Sequence, residues 1–427
     1  MTSDNPLPAA PIGAANPRPK IREALLLLAA VLAAGLPHFV VPERSRHIYS
    51  THVAGPVSYA FNPDSPHAAR IVLKFPSGFV DSPQTEAYRM RPLYDCIGWG
   101  IYQPLRLLRP AVPQRFGAVA EAMMARANHP ELWAGIDGRD LVLAWAALII
   151  VNLLIYWAAL ILVFRALAAI FERHTALLLS IAPLAHPDVM DYVFVPHTEP
   201  LDLLIPAVFL YTAVTAWSQG RTGRIAALAM GVLMLGKQIA YPALNWAYAA
   251  LRSPRRMRAL AMVAFLIAIP TLLFFLLLRI LSIPPAYPEI DRFREVIWIQ
   301  DYWQEGRVAE IPVRLVKNVG EHMVNAAGSF AGLLLVTACL LLKSRRRESP
   351  AVPPGLWRHI ALYAIAGISF WSLLGLLDAH RALTHFPVII VPLGVLAVSR
   401  SLHPNRWIMG GVLFSVAAHI AVRALAG

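Results

Sequence analysis

The stretch from Leu141 to Phe164 reads LVLAWAALIIVNLLIYWAALILVF and decides the class of fold. No charged side chain occurs in its 24 residues. A helix rises about 1.5 Å per residue, so this stretch would extend over about 36 Å, more than the bilayer's hydrocarbon thickness of about 30 Å. The sequence therefore predicts a membrane-spanning helix here.

The whole chain has the composition of an integral membrane protein. Of its 427 residues 57% are apolar and only 15% are charged, whereas soluble domains have about 45–50% and about 25%. These values exclude a water-soluble enzyme. Apolar runs predict an all-α integral membrane fold with about 11 transmembrane or half-membrane helices. The runs are Ala24–Val41, Leu141–Phe164, Ala176–Leu184, Leu201–Trp217, Ile225–Leu235, Ile239–Leu251, Leu260–Ile283, Ala326–Leu342, Ile360–Leu377, Leu383–Val398 and Trp407–Leu425.

The two runs on either side of Lys237 are each too short to cross the bilayer, because a dozen helical residues cover only about half its thickness. We therefore expect them to form a helical hairpin. Lys237 at the break is a candidate substrate-binding residue, since ionisable side chains inside a membrane are usually functional. The alternative is a lysine that extends its ammonium to the surface or caps the first short helix.

Basic residues account for the formal net charge of +13 and indicate the orientation of the helices. They concentrate in short segments between apolar runs, where the positive-inside rule and anionic lipid explain them, so no nucleic-acid partner is expected. The amino terminus is then cytoplasmic and the active site external. Many Ala, Arg and Pro residues with few Lys indicate a GC-rich bacterial source, which predicts a multi-pass protein of the bacterial inner (cytoplasmic) membrane.

The predicted organisation is a disordered cytoplasmic tail over 1–21 and a polytopic membrane domain over 22–427. A cleavable signal peptide ending near Gly35 is the alternative for the first run, although a retained helix fits the many later spans better. The membrane domain includes an external loop at 42–140 and another at 284–324. Periodic apolar residues predict two interfacial helices in the first loop, which either pack on an external domain or contact lipid.

Arg381 is the most informative candidate for substrate binding. It lies in a short external loop, on the side that short-loop basic residues usually avoid, with His380 before it and His385 at the start of the next helix. A guanidinium offers planar bidentate donors and keeps its charge, which suits a phosphate or pyrophosphate. The alternatives are a snorkelling arginine and an ion pair with Asp378.

Residues 186–200 form a second polar group, which lacks lysine and arginine. Its candidate substrate-binding residues are His186, Asp188, Asp191, His197 and Glu199. Such a group could bind a sugar or a divalent cation, Mg²⁺ or Mn²⁺, although the spacing fits no specific metal motif. No cofactor is otherwise predicted. Glu199 could equally begin the next helix, where the helix dipole favours a carboxylate.

A carboxylate beyond the first span is the expected general base. Low-dielectric surroundings at a membrane surface can raise a carboxyl pKa towards the value that a base requires. Glu43 and Asp81 are both candidates, and either could instead be a solvated loop residue. Arg91 in the same loop is a further substrate-binding candidate.

Several phrases, in their order along nearly the whole chain, resemble the GT-C superfamily of polytopic glycosyltransferases, with a mannosyltransferase-like layout. They are Arg91-Pro-Leu-Tyr94, Pro196-His-Thr-Glu-Pro200, Gly231-Val-Leu-Met-Leu-Gly-Lys237 and Arg381-Ala-Leu-Thr-His-Phe-Pro387. The chain departs from the family at two places. Glu43 has no acidic neighbour, and Gly236 stands where many relatives have threonine before the lysine.

The resemblance implies transfer of a hexosyl or pentosyl group from a polyprenyl-phosphate donor, a lipid-linked sugar, to a hydroxyl of a glycan, lipid or protein acceptor of the cell envelope. The external carboxylate would remove the acceptor proton, and Arg381 would stabilise the departing phosphate. Two other classes remain open. A transporter or flippase of lipid-linked sugars should show interrupted helices in matching positions, and a non-catalytic envelope scaffold should not need the clustered polar residues.

Overall fold

The structure of the protein is a computed structural model, which describes residues 18–36, 49–54, 57–61, 65–79, 92–124, 133, 135–197, 200–216, 243–251, 256–280, 294–343, 348–353, 355–374 and 379–426. Nearly all of these residues are helical, so the predicted helical fold class is confirmed. The exception is an antiparallel hairpin of β1 (Tyr49–Ala54) and β2 (Val57–Phe61), which lies in the region predicted to be the long external loop.

The helices that the structure describes are α1 (Ile21–Ala34), α2 (Ser65–Leu73), α3 (Pro92–Leu105), α4 (Gln114–Met124), α5 (Gly138–Leu167), α6 (Arg173–Ile181), α7 (Pro187–Tyr192), α8 (Pro200–Tyr211), α9 (Ala243–Leu251), α10 (Arg256–Ile280), α11 (Arg294–Gln304), α12 (Ile311–Ser329), α13 (Ala331–Leu341), α14 (Leu356–Leu374), α15 (Ala379–Ala382), α16 (Phe386–Arg400) and α17 (Pro404–Ala426).

Three segments among the described residues are long and apolar enough to cross a bilayer. They are Gly138–Leu167, Leu383–Arg400 and Pro404–Val422. A fourth is added if the bent pair Val308–Ser329 and Ala331–Leu341 counts as one span. The membrane character that the composition predicts is therefore supported by three to four candidate spans.

The long helix α5 organises the first half of the fold. Its apolar sequence gives it apolar side chains on all sides, as expected of a helix surrounded by others. Helices α1, α3, α4 and α8 pack against it. The two helices predicted in the first external loop are present as α3 and α4, and both rest on α5, where Tyr94 and Ala120 are buried.

The helix α5 begins at a well-defined cap. The carboxylate of Asp137 accepts a hydrogen bond of 2.8 Å from the backbone N–H of Arg139, and it also accepts one of 2.5 Å from Arg109. A carboxylate is the preferred type of side chain here, because it satisfies an orphan N–H and complements the positive end of the helix dipole. The start of the longest helix is thereby fixed.

Helices α13, α16 and α17 pack side by side in the second half. The helices α13 and α17 approach each other closely at Gly332, where an added Cβ atom would lie 2.6 Å from the carbonyl oxygen of Gly411. Small residues of this kind let membrane helices come into close contact. Apolar side chains from α1, α5, α6 and α16 join the same core, so the two halves are continuous.

The predicted span Ala326–Leu342 is wrong in one respect, because the helix axis turns by 85° at Phe330. Phe330 departs from regular helical geometry, with φ −112° and ψ 21°. Its ring packs on His186, with centroids 5.0 Å apart, and this buried anchor is a physical reason for a turn at that residue. The 11 residues of α13 cover only about 16 Å, which is too short to cross a bilayer.

The predicted external loop 284–324 is also more structured than expected. It contains α11 and most of α12. The helix α12 then continues without interruption to the bend at Phe330. The pattern of apolar residues could not locate the end of α12, because the last turn of α12 is apolar and was assigned to the following span.

Candidate functional site

Basic side chains gather at one end of the helical bundle, the basic end. Arg400 at the end of α16 donates a hydrogen bond of 2.5 Å to the backbone oxygen of Lys343, and the ammonium of Lys343 lies 4.8 Å from the ring of Trp407. Thr175 near the start of α6 donates to Asn405 near the start of α17, at 2.9 Å. The ends of α13 and α16 therefore lie beside the starts of α6 and α17.

A group of buried polar side chains lies further along the bundle from this end. His385 immediately precedes α16, 15 residues before the end of that helix, and His419 is 15 residues after the start of α17, which places each about 22 Å from the basic end along its helix. This polar layer consists of Asn152, His186, Asp191, Asp202, His322, Arg381, His385 and His419.

Arg381 in α15 is buried and forms an ion pair with Asp202 in the first turn of α8. The distance from Nη1 to Oδ2 is 3.7 Å, and the Asp202 side chain is fully buried. The guanidinium carbon also lies 4.8 Å from the ring centroid of Trp371. Burying a charge is unfavourable unless an opposite charge compensates it. Asp202 is therefore the acid beside Arg381, while the predicted alternative, Asp378, lies outside the described residues.

Hydrogen bonds through Thr384 fix the backbone that carries Arg381. The hydroxyl of Thr384 donates to the carbonyl oxygen of Arg381 at 2.7 Å and accepts from the indole N–H of Trp371 at 3.2 Å. The hydroxyl of Tyr363 donates to the carbonyl oxygen of Thr384 at 3.0 Å. The position of the guanidinium thus follows from the packing of α14 against the segment that precedes α16.

His385 faces His322 of α12, with their Nε2 atoms 2.8 Å apart and their rings inclined at 75°. One Nε2 donates and the other accepts, because a neutral imidazole has one donor and one acceptor nitrogen. Both Nδ1 atoms are buried and have no hydrogen-bond partner among the described residues. The pair consequently retains hydrogen-bonding capacity that a polar ligand could use.

His186 begins α7 and caps it, because its Nδ1 accepts a hydrogen bond from the backbone N–H of Asp188 at 3.3 Å. The side chain of His186 is fully buried, and burial disfavours a charged ring. With Nδ1 as acceptor, the ring proton resides on Nε2. His186 is therefore a neutral donor within the polar layer.

Asp191 of α7 pairs with His419 of α17, with Oδ1 3.3 Å from Nε2. A carboxylate in this position fixes the orientation and tautomer of an imidazole. Both side chains are about nine-tenths buried. This contact ties the predicted polar segment 186–200 to the last helix of the chain.

Asn152 in the middle of α5 connects three parts of the fold. Its Oδ1 accepts from the hydroxyl of Tyr94 at 2.8 Å, and its Nδ2 donates to the backbone oxygens of Tyr192 and Val195 at 3.1 and 2.7 Å. Burial raises the pKa of Tyr94 well above its usual value, so the phenol remains a neutral donor. The ring of Tyr192 in turn lies 5.1 Å from that of His197.

Metal binding was one use expected of the acidic residues in 186–200. Within the part of the chain that the structure describes, no group of three or more His, Cys, Asp or Glu residues could hold a metal ion. In that part of the chain, the carboxylate of Asp191 pairs with His419 instead.

The structure brings some of the predicted site residues together. Arg381 and His385 share one short segment. The helix α7 contains Asp188 and Asp191, with His186 as its cap and His197 shortly after its end. The backbone of His380 lies in α15, and nothing is described of its side chain. The remaining predicted site residues lie outside the described residues, namely Glu43, Asp81, Arg91, Glu199 and Lys237. The pairing of Arg381 with Glu43 or Asp81 therefore stays a prediction.

Four residues of the layer were not among the predicted site residues. Asp202 and His419 are ionisable residues inside apolar runs, and the rule that such residues are functional would have found both. Asn152 could have been found as the amide within an apolar run. His322 gave no comparable signal, because its region was interpreted as an external loop.

Comparison of the chain with family models, curated proteins and solved structures finds no match.

Proposed function

We propose that the chain is an integral membrane glycosyltransferase of the GT-C type. It transfers a sugar from a polyprenyl-phosphate donor to an acceptor hydroxyl on the external face of the bacterial inner membrane. The full fold in this proposal has about eleven transmembrane or half-membrane helices, of which three to four are candidate spans in the described residues. The cell-envelope acceptor is a glycan, a lipid or a protein.

The arrangement of charge supports this orientation. The basic end, with Lys343 and Arg400, belongs on the cytoplasmic side by the positive-inside rule. His385 and His419 of the polar layer are about 22 Å from that end, within a hydrocarbon region of about 30 Å. The layer then lies in the outer half of the bilayer, where the phosphate of a lipid-linked donor can approach from the external side.

The observation that carries the proposal is the buried ion pair of Arg381 with Asp202. A guanidinium held in a low-dielectric site interacts strongly with charge that develops on a leaving phosphate. Asp202 and Trp371 hold that guanidinium before the donor arrives, so little reorganisation is needed during the reaction. Preorganised donors of this type are often the largest single contribution to catalysis.

The reaction that this site would perform is a direct displacement at the anomeric carbon. The acceptor hydroxyl gives its proton to a carboxylate, Glu43 or Asp81, and its oxygen forms the new bond to the anomeric carbon. The bond from that carbon to the phosphate oxygen breaks, and the lipid phosphate leaves with the negative charge. In this proposal, His322 and His385, which contact each other, hydrogen-bond polar groups of the donor.

The test uses the full chain in lipid nanodiscs with a panel of radiolabelled polyprenyl-phosphate sugars and an envelope extract as acceptor. Transfer is the formation of a labelled covalent product that survives chromatography. We expect activity in the natural chain, its loss in Glu43→Gln or in Asp81→Asn, and near-normal activity in Arg400→Ala at the basic end. Absence of product with every donor, while the protein remains folded, would contradict the proposal.

A transporter or flippase of lipid-linked sugars is the second candidate, and the bend at Phe330 favours it. Transporters place substrate sites at interrupted helices, and α12 and α13 form such an interruption beside the polar layer. Vesicles that contain the protein separate the two functions. A transporter moves the labelled lipid between leaflets without a new covalent bond, whereas the transferase leaves the sugar on an acceptor.

A further inference from the structure

The helix α12 buries polar side chains and exposes apolar ones, which is the reverse of a helix in contact with water. Asn318 and His322 are 1% and 0% exposed, whereas Val313, Val316 and Val324 are 69%, 72% and 70% exposed. A surface helix of a soluble protein shows the opposite arrangement. Burial of these valines away from water would be favourable. The outward face of α12 is therefore suited to an apolar environment.

The side chains of α12 fall into three sectors around the helix axis, since each residue advances by about 100°. The inward sector carries Asn318, His322 and Ser329 and packs against α14 and α15. The apolar outward sector carries the three valines and lies on the opposite side. The third sector, about a quarter turn from both by the same count, carries exposed charges. Its residues are Arg314, Lys317 and Glu321.

These sectors match the three surroundings of a helix that lies in a membrane interface. Such a helix buries an apolar face among acyl chains and directs its charges towards headgroups and water. Two cations and one anion give the charged sector of α12 a net positive charge, which complements the phosphates of anionic lipid. The third, inward sector is occupied by the protein itself.

The bend at Phe330 determines how α12 is oriented relative to the membrane plane. The helix α13 is strongly apolar and runs towards the basic end, where Lys343 follows it. Because α12 lies at 85° to α13, α12 is close to parallel with the membrane plane when α13 runs along the membrane normal. The helix α12 lies at the level of His385, because its His322 contacts that residue.

The segment before α12 has the composition of a membrane interface. Trp303 in α11 is 67% exposed, and Trp298 donates to the backbone oxygen of Leu373. Tryptophan and tyrosine concentrate at the level of the headgroups. Arg307 follows with ion pairs to Glu305 and Glu310, so charged groups flank the aromatic ones. This independent observation places the approach to α12 at the same surface.

We propose that α12 is an in-plane, re-entrant helix that docks on the phospholipid bilayer. Its valine face contacts acyl chains, Arg314 and Lys317 contact headgroups, and Asn318 and His322 form one wall of the polar layer. Lipid and the polar layer are then separated by the width of a single helix. The inference concerns the surface of the protein and does not depend on the transferase activity.

The test is spin labelling of the full chain in nanodiscs made of phosphatidylethanolamine and phosphatidylglycerol. The free cysteines Cys96 and Cys339 are first replaced by alanine. Single cysteines are then introduced by Val316→Cys and Val324→Cys, with Lys317→Cys as the control on the same helix. Nitroxide labels are compared for collision with oxygen, which partitions into lipid, and with a water-soluble nickel chelate.

We expect the labels at 316 and 324 to collide several-fold more with oxygen, relative to the nickel chelate, than the label at 317. Equal ratios at the three positions, or a preference for nickel at 316 and 324, would place the valine face in water and overturn the proposal. Low collision with both reagents would mean that protein, such as a second copy of the chain, covers the face, and that also overturns it. Val313→Cys replaces either valine variant that does not fold.

Discussion

The amide oxygen of Asn152 lies 2.8 Å from the hydroxyl oxygen of Tyr94, which precedes it by 58 residues. The same amide group donates to the backbone oxygens of Tyr192 and Val195. A single polar side chain in the longest helix thus fixes both α3 and the segment that follows α7. The polar layer depends on this connection, because His186 and Asp191 belong to α7 and its cap, directly before that segment.

Replacement of this amide is expected to destabilise the fold strongly. Asn152→Leu preserves side-chain size but leaves the Tyr94 hydroxyl and two carbonyl oxygens buried without their partner. A buried polar group left unsatisfied costs about 1–3 kcal/mol, so the total loss should be about 3 kcal/mol or more. Tyr94→Phe, which removes one donor, should cost about 1 kcal/mol. Unfolding by sodium dodecyl sulfate in mixed micelles measures the free energy of unfolding of both variants. Equal stability of the two would refute the hydrogen bonds assigned to Asn152.

The histidine pair should show energetic coupling. His322→Ala or His385→Ala alone leaves a buried imidazole without its partner, whereas the double variant removes both rings. We expect the loss in the double variant to be smaller than the sum of the single losses by about 0.5–3 kcal/mol. The same unfolding titration measures the cycle. Strict additivity would mean that the two rings do not share a hydrogen bond.

The cap of α5 predicts a defined acid dependence. The backbone N–H of Arg139, followed by the guanidinium of Arg109, lowers the pKa of the Asp137 carboxyl. A depressed pKa contributes stability above the unfolded value of about 3.9, and this contribution is lost as the pH falls through the folded value. Asp137 is about one-third exposed, so the effect should be below about 1 kcal/mol.

The matched variant for this effect is Asp137→Asn, which keeps a capping side chain but removes the charge. We expect its melting temperature to fall less than that of the natural chain between about pH 4 and pH 2. Parallel curves for the two proteins across this range would show that the carboxylate does not stabilise the helix.

The close approach of α13 and α17 predicts opposite effects for two glycine substitutions. Gly332→Ala places a Cβ atom 2.6 Å from the backbone oxygen of Gly411, so the helices must separate, at about 1–3 kcal/mol. Gly328→Ala in α12 meets nothing within 4 Å and should stabilise the helix by about 0.5–1 kcal/mol. Melting temperatures in detergent separate the two, and a stabilising Gly332→Ala would contradict the packing.

The elements that the sequence predicted best were long and uniformly apolar. The run at 141–164 lies within α5, and the runs at 383–398 and 407–425 correspond to the other two candidate spans. Length and hydropathy suffice for such helices, because a continuous apolar run of this size has few alternatives. The bend at Phe330 could not be predicted in this way, since it depends on burial of that ring against His186.

The candidate site was predicted only in part, and the reason lies in sequence separation. Arg381 was found from its charge and position in the chain, but Asp202 is 179 residues away and no local pattern joins them. His385 was likewise found without His322, and Asp191 without His419. Local composition identifies which residues are unusual, whereas the partner of each is determined by helix packing.

The measurement that tests the central claim most directly is the rate of sugar transfer by Arg381→Ala. Loss of one preorganised donor to the leaving group typically lowers kcat by about 100- to 1,000-fold, and Arg381→Lys should restore little because a lysine lacks the planar pair of donors. Arg400→Ala at the end of α16 serves as the control. We predict that only the Arg381 variants lose transfer, and that Arg381→Lys, which keeps a cation beside Asp202, does so while it still inserts and folds. Turnover within a few-fold of the natural chain in Arg381→Ala would remove this guanidinium from the active site and contradict the account.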